Sequence, residues 1–166
     1  NKANPNIHKE TTGPEIWEDT DGNIDIFVAT VGTGGTISGA GAYLKSKNPN
    51  IKVVGVEPGW ASIATLENPD IIEITGVHRF SDVEEDRIPD NVHTDVIDEI
   101  IEVETSQAYE AARAVAKSDG ILVGTSSGAA IWAATQLAKR QENKGKRIVT
   151  ILPDTGLRYL STDLFE

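Results

Sequence analysis

A nearly unbroken apolar, β-branched run from Ile24 to Val31 empties into Gly32-Thr33-Gly34-Gly35-Thr36, and this junction constrains the fold more than any other stretch. Such a run is the pattern of a strand buried on both faces, as in a parallel sheet. Ile37 to Lys47 then reads as a helix stopped by Asn48-Pro49, and Val53 to Val56 as a second inner strand ending in Glu57-Pro58. Strand, tight loop, helix and strand make a βαβ unit, which is right-handed almost without exception. The alternation continues to a last inner strand at Arg147 to Leu152. It predicts an α/β class: a mostly parallel, twisted sheet with helices on both faces.

The intervening segments are less regular. Thr11 to Glu18 reads as a helix start with Pro14 in its first turn, and Asp21-Gly22-Asn23 as a turn. One short helix is expected between Trp60 and Asn68-Pro69. Val77 to Asn91 is polar and irregular. The acids Glu84, Glu85, Asp86, Asp90, Asp95, Asp98, Glu99, Glu102 and Glu104 read as a solvated surface loop, without the glycine-turned spacing of a cation site. Ser106 to Lys117 places Ala108, Ala111, Ala112, Val115 and Ala116 on one helix face, with Thr105 or Ser106 as cap and Gly120 at the exit. Ala129 to Arg140 is apolar on most sides and is expected to be a buried helix.

Composition narrows the chemistry. With 26 acidic and 15 basic residues the net charge is −11, which disfavours nucleic acid or an anionic membrane surface as the main partner. No cysteine is present, so a disulfide scaffold and a thiolate metal site are excluded. No apolar run approaches the ~20 residues that span a bilayer, and no export leader is recognisable. A reduced, cytoplasmic setting is the expectation. The chain contains no methionine and opens in mid-phrase at Asn1-Lys2-Ala3-Asn4-Pro5, which reads as a piece of a longer protein.

Ligands of open α/β sheets bind beyond the carboxyl ends of the strands. Three such ends are rich in Gly, Ser and Thr: Gly32–Thr36, Gly124–Gly128 and Pro153–Gly156. In the first, Gly32, Gly34 and Gly35 let backbone N–H groups converge on an anion at a helix start, and Thr33 and Thr36 add hydroxyls. A β-branched residue at Gly34 or Gly35 is therefore expected to cost anion binding far more than stability. The loop is not a Walker A motif, since no Gly-Lys-Ser/Thr follows. It also lacks the third glycine of a dinucleotide fingerprint, Ile37 standing there. Glu57, roughly twenty residues on, nevertheless sits where a ribose-binding acid is expected, so NAD remains a possible ligand. Gly124-x-Ser126-x-Gly128 matches a nucleophile elbow, but no histidine follows Ser126 to complete a triad. His8, His78 and His93 show no metal-ligand spacing and read as surface residues. No metal is expected.

Taken in order, these motifs resemble those of the cysteine synthase (O-acetylserine sulfhydrylase) family. The resemblance is carried by Asn4-Pro5, His8 and Thr12 to Trp17, by Gly32-Thr33-Gly34-Gly35-Thr36, by Gly124-x-Ser126-Ser127-Gly128-Ala129-Ala130, and by Leu152-Pro153-Asp154-Thr155-Gly156-x-Arg158-Tyr159-Leu160-Ser161-Thr162. It spans residues 1–166 but only the C-terminal part of a family member. It implies the large domain of the tryptophan-synthase-β-like fold type II, using pyridoxal 5′-phosphate for β-elimination of acetate from O-acetylserine and addition of sulfide. By the same resemblance Gly32, Thr33, Gly34, Gly35 and Thr36 hold the cofactor phosphate and Ser126 meets the pyridine nitrogen. The Schiff-base lysine belongs to the N-terminal part, so no catalytic residue lies in this chain, and the chain alone is expected to be inactive. A homodimeric enzyme and serine acetyltransferase as a partner are further implications. Gly76-Val77-His78-Arg79-Phe80 stands where the family carries a glycine-rich stretch, and Leu157 where an acid is common. A cystathionine β-synthase-like activity is the nearest alternative, although Arg158 to Thr162 fits cysteine synthase better.

Overall fold

The fold is described from a computed structural model of residues 1–166. The chain opens with a helical stretch in three pieces: α1 (Ala3–Ile7), a π-helical turn (His8–Thr12) and α2 (Gly13–Asp19). The widened turn falls just before Pro14, whose missing N–H and bulky ring conflict with a regular helix running through it. Asp21 and Gly22, both at positive φ, then turn the chain into β1 (Ile26–Thr30). There follow α3 (Gly35–Lys47), β2 (Lys52–Pro58), β3 (Glu99–Val103), α4 (Thr105–Asp119), α5 (Thr125–Lys139) and β4 (Ile148–Thr150).

All four strands are parallel, in the order β3-β2-β1-β4. Val28 pairs with Val54 on one side and Thr150 on the other, which places the Ile24–Val31 run at the centre of the sheet. Period-two alternation divides its side chains between two layers. Phe27, Ala29 and Val31 pack with Ile37, Ala40 and Leu44 of α3. Ile26 and Val28, with Val54 and Val56, pack against Ala129, Ala133 and Leu137 of α5. Leu44 and Leu137 are fully buried, each stabilising the fold by about 1.5–3 kcal/mol through burial. The α/β class and the helices on both faces are as the sequence predicts.

Five local expectations are corrected. The last strand, expected as an inner one over Arg147 to Leu152, is β4 at the edge of the sheet, half-buried and confined to Ile148–Thr150. The acidic run is not all loop: Glu99–Val103 forms the edge strand β3, and its acids are engaged. Glu99 pairs with Lys52 and Arg140, Glu102 with Arg79, and Asp98 accepts from the Val53 N–H at 2.7 Å. The short helix expected after Trp60 is a single 3-10 turn, Trp60–Ser62. Helix α4 is capped by Glu104 rather than Thr105 or Ser106, in a reciprocal capping box with Gln107. Helix α5 starts at Thr125, one turn before the expected Ala129: Thr125 to Gly128 are buried and helical, with Gly128 lying against Ala108 and Ala112 of α4.

Candidate functional site

The carboxyl ends of β1 and β4 and the start of α5 enclose a cleft of about 630 Å³. Gly32, Thr33, Gly34, Gly35 and Thr36 line one side; Ser126, Pro153 and Asp154 line another, with Thr30, Thr75, Gly76, Arg158 and Tyr159 completing the wall. All six residues singled out from the sequence thus face one space, as does the Pro153–Gly156 strand end through its first two residues.

The loop has the properties of an anion cradle. After the Val31 N–H, which donates to Val56 at 2.9 Å, the next backbone N–H with a carbonyl partner is that of Ser38, donating to Gly34 at 3.1 Å. Six successive amides, Gly32 to Ile37, therefore have no internal acceptor, and they sit at the positive end of the 13-residue helix α3. Gly34 is the N-cap, at φ 84°, in the left-handed region that favours glycine. The threonine hydroxyls are held from behind: Thr33 Oγ1 accepts from Asn4 Nδ2 at 2.9 Å, and Thr36 Oγ1 lies 3.3 Å from His8 Nε2. His8 in turn meets Thr12 Oγ1 through Nδ1 at 2.8 Å. Composition and spacing leave His8 among surface residues; the structure makes it a half-buried bracket for the loop, traced in the sequence by its one-turn spacing from Thr12 and by the place of both in the family motif.

The glycines serve packing as well as access, which corrects one expectation. A Cβ on Gly34 would lie 2.8 Å from Val92 Cα and 2.9 Å from its nitrogen, and one on Gly35 would meet Asn4 Oδ1 at 2.0 Å. Substitution at Gly34 therefore meets the Val92 backbone and disturbs the fold directly, whereas at Gly35 it displaces the Asn4 side chain that holds Thr33, so neither reports on anion binding alone.

Ser126 lies in the first turn of α5 and is 8% exposed. Gly124 is the N-cap and no side chain caps this helix, so Ser126 is not a capping residue. Its hydroxyl has no partner in the chain, whereas the neighbouring Ser127 donates to the Asp154 carbonyl. Close by, Tyr159 donates to Asp154 Oδ2 at 2.7 Å. Burial first, then the bond to Asp154, hold the phenol above its ordinary pKa. Two buried polar atoms in this corner, Thr125 Oγ1 and Asp154 Oδ1, have no hydrogen-bond partner in the chain. The cleft thus offers an anion cradle at one end and an uncommitted hydroxyl among polar groups at the other. These are what a phosphorylated heteroaromatic cofactor requires. No lysine lines the cleft.

Glu57 is not available to a ribose. It is fully buried, accepts from the Phe80 and Ser81 N–H groups at 2.8 and 3.0 Å and from the Ser81 hydroxyl, and faces Arg79 at 3.4 Å. The residues hold no cluster of His, Cys, Asp and Glu able to bind a metal ion, and no helix is long and apolar enough to cross a membrane.

Comparison with known proteins agrees with this geometry. The family model described as pyridoxal-phosphate dependent enzyme matches residues 1–154. The cysteine synthase of Buchnera aphidicola is 45% identical, over 99% of this chain and 52% of its own length. The structure of O-acetyl serine sulfhydrylase isoform 3 from Entamoeba histolytica superposes with a TM-score of 0.82 at 47% identity, over 99% of this chain and 47% of that one. The O-acetylserine dependent cystathionine β-synthase of Helicobacter pylori gives 0.84 at 37% identity, over 100% and 52%. The chain spans about half the length of the curated relatives it matches.

Proposed function

Because the chain belongs to the family of pyridoxal-phosphate dependent enzymes, we propose that it is the cofactor-holding part of a cysteine synthase. In this reading the whole enzyme makes cysteine from O-acetylserine and sulfide. The observation that carries it is the run of unpaired amides from Gly32 to Thr36 facing Ser126 across one cleft. The amides of Gly32 to Thr36, with the hydroxyls of Thr33 and Thr36, hold the phosphate, and the helix dipole of α3 offsets its charge. Ser126 meets the pyridine nitrogen. A neutral hydroxyl at that point can share a hydrogen bond without enforcing a positive ring, which suits β-elimination and re-addition. Bound pyridoxal phosphate supplies the electron sink; the chain supplies position and charge balance.

The same reading assigns the Schiff-base lysine to a part of the enzyme outside these residues. Each lysine here lies away from the cleft, and a Schiff-base lysine needs a desolvated setting. It further implies a cytoplasmic homodimer partnered by serine acetyltransferase. A second reading, β-replacement with a thiol amino acid in place of sulfide, is favoured by one feature. A neighbouring cavity of about 870 Å³ shares Thr75, Gly76, Arg158 and Tyr159 with the cleft and would admit a larger nucleophile.

The test is a titration of the chain with pyridoxal phosphate and with NAD, followed by protein fluorescence. Saturable binding of pyridoxal phosphate, competed by inorganic phosphate, is expected, with no response to NAD. NAD binding without a response to pyridoxal phosphate would overturn the proposal. The same preparation should form no cysteine from O-acetylserine and sulfide; sustained turnover would place the missing amine within these residues.

A further inference from the structure

Residues Thr75 to Ser81 form the partition between the cleft and the larger cavity beside it, and both spaces are lined by Thr75 and Gly76. This segment has no regular secondary structure, yet it is pinned along its length. The Gly76 carbonyl oxygen lies 2.4 Å from where a Cβ on Gly32 would stand, so the partition rests directly on the first residue of the anion cradle. The His78 N–H donates to the Val31 carbonyl at 2.8 Å, one residue before the cradle. The Phe80 and Ser81 N–H groups donate to the buried Glu57.

Arg79 sits between these attachments. Its side chain is only 5% exposed and meets oxygens of four residues. It donates to Asp82 through Nε and Nη2 at 2.6 and 2.8 Å, to Glu102 at 2.7 Å and to the Pro58 carbonyl at 3.1 Å, with Glu57 at 3.4 Å. Its guanidinium also stacks over Trp60, 4.5 Å from the ring centre. Every direction of the planar fork is therefore used inside the protein, and none is left to hold a ligand. A cation so fully neutralised beside an anion site does not act by attracting the anion.

We propose that Arg79 is a positioning residue: clasped by Glu57, Asp82, Glu102 and the Pro58 carbonyl, it holds the Thr75–Ser81 partition against Gly32 and keeps the cradle amides in their convergent arrangement. The proposal rests on the cradle being the phosphate site. It attributes ligand affinity to a residue that touches no ligand, through the contacts at Gly76 and His78.

The experiment uses the chain and two variants, Arg79→Lys, which keeps the charge but not the fork, and Asp82→Asn, which removes a half-exposed partner and strands no buried charge. Amide hydrogen exchange is followed at His78, Phe80 and Ser81 and, as a control for global stability, at Val28 in the central strand. Affinities for inorganic phosphate and pyridoxal phosphate are measured in parallel. Exchange about tenfold faster at His78, Phe80 and Ser81, with Val28 unchanged and both affinities lower by about three- to tenfold, is expected, the scale of one lost hydrogen bond of ordinary net strength. Faster exchange with unchanged affinities overturns the positioning role, as does unchanged exchange. Acceleration at Val28 to the same degree also overturns it, since Arg79 would then serve the fold as a whole. A wild-type chain that binds neither ligand overturns this proposal together with the cradle on which it rests, an outcome distinct from the others.

Discussion

Ser126 and Glu57 show how far a single residue can be read before its surroundings are seen. Both lie near strand ends and both carry a plausible ligand-binding atom. Glu57 spends its carboxylate on the Phe80 and Ser81 amides, while Ser126 keeps its hydroxyl for the cleft. Nothing in the local sequence of either distinguishes them; the difference lies in a loop more than twenty residues away from Glu57. If Ser126 meets the pyridine nitrogen, Ser126→Ala should change unfolding stability by no more than about 0.5 kcal/mol, because no internal bond is lost. It should still alter the absorption of bound pyridoxal phosphate. Ser126→Asp should alter it more, since a charge-assisted bond to the ring nitrogen is worth about 1.5–3 kcal/mol. Spectra of both variants indistinguishable from wild type would remove Ser126 from the ring.

Among elements, legibility follows burial. Strands β1 and β2 and helices α3 to α5 are readable because the parallel sheet demands apolar runs and the helices show their own period. Strand β3 is not, because it is an edge strand whose Glu99 and Glu102 point to partners on other elements, Arg140 and Arg79. Acids that mark a surface loop in the sequence are here one half of each ion pair. The cap of α4 was equally hidden: glutamate is a rare choice for the position, and its second partner, Ser62, approaches from 42 residues away at 2.5 Å. Glu104→Ala should therefore destabilise the chain by about 1–2 kcal/mol, one capping interaction and part of a second hydrogen bond, read as a lower urea midpoint at unchanged slope. A shift under a quarter of that would show that Gln107 and solvent satisfy the helix start without it. The rim of the cleft was legible as three Gly- and Ser-rich strand ends; the contribution of Asn4 and His8 was not, since it depends on α1 and the π turn being folded back onto the loop.

At the scale of the whole molecule, opposed electrostatic effects set the response to acid. The net charge of −11 disfavours the compact state at neutral pH, and mild acidification relieves that repulsion. Against this, the hydrogen bond from Arg140, with that from Lys52, holds Glu99 below the usual carboxylate range, and Arg79 does the same for Asp82. A carboxylate whose folded pKa is depressed stabilises the fold above its unfolded pKa, near ~4, and that contribution is lost as pH falls through the folded value. Stability is thus expected to change little from pH 7 to about 5 and to decline below about 4. Glu99→Gln should flatten the decline in urea titrations repeated across this range; an unchanged decline would locate the acid sensitivity elsewhere.

The strand order has a consequence in time. Val28 finds Val54 only 26 positions along the chain, but its partner on the other flank is Thr150, 122 positions on. Closing the second loop is costlier by roughly two doublings of length, about 1.2 kcal/mol of chain entropy, and contacts this distant in sequence slow folding. During synthesis the Ile26–Thr30 ribbon can join its first neighbour early, yet its other edge stays bare until residues 148–150 emerge. That interval, with a hydrophobic strand half-paired, is when the nascent chain is most exposed to wrong partners.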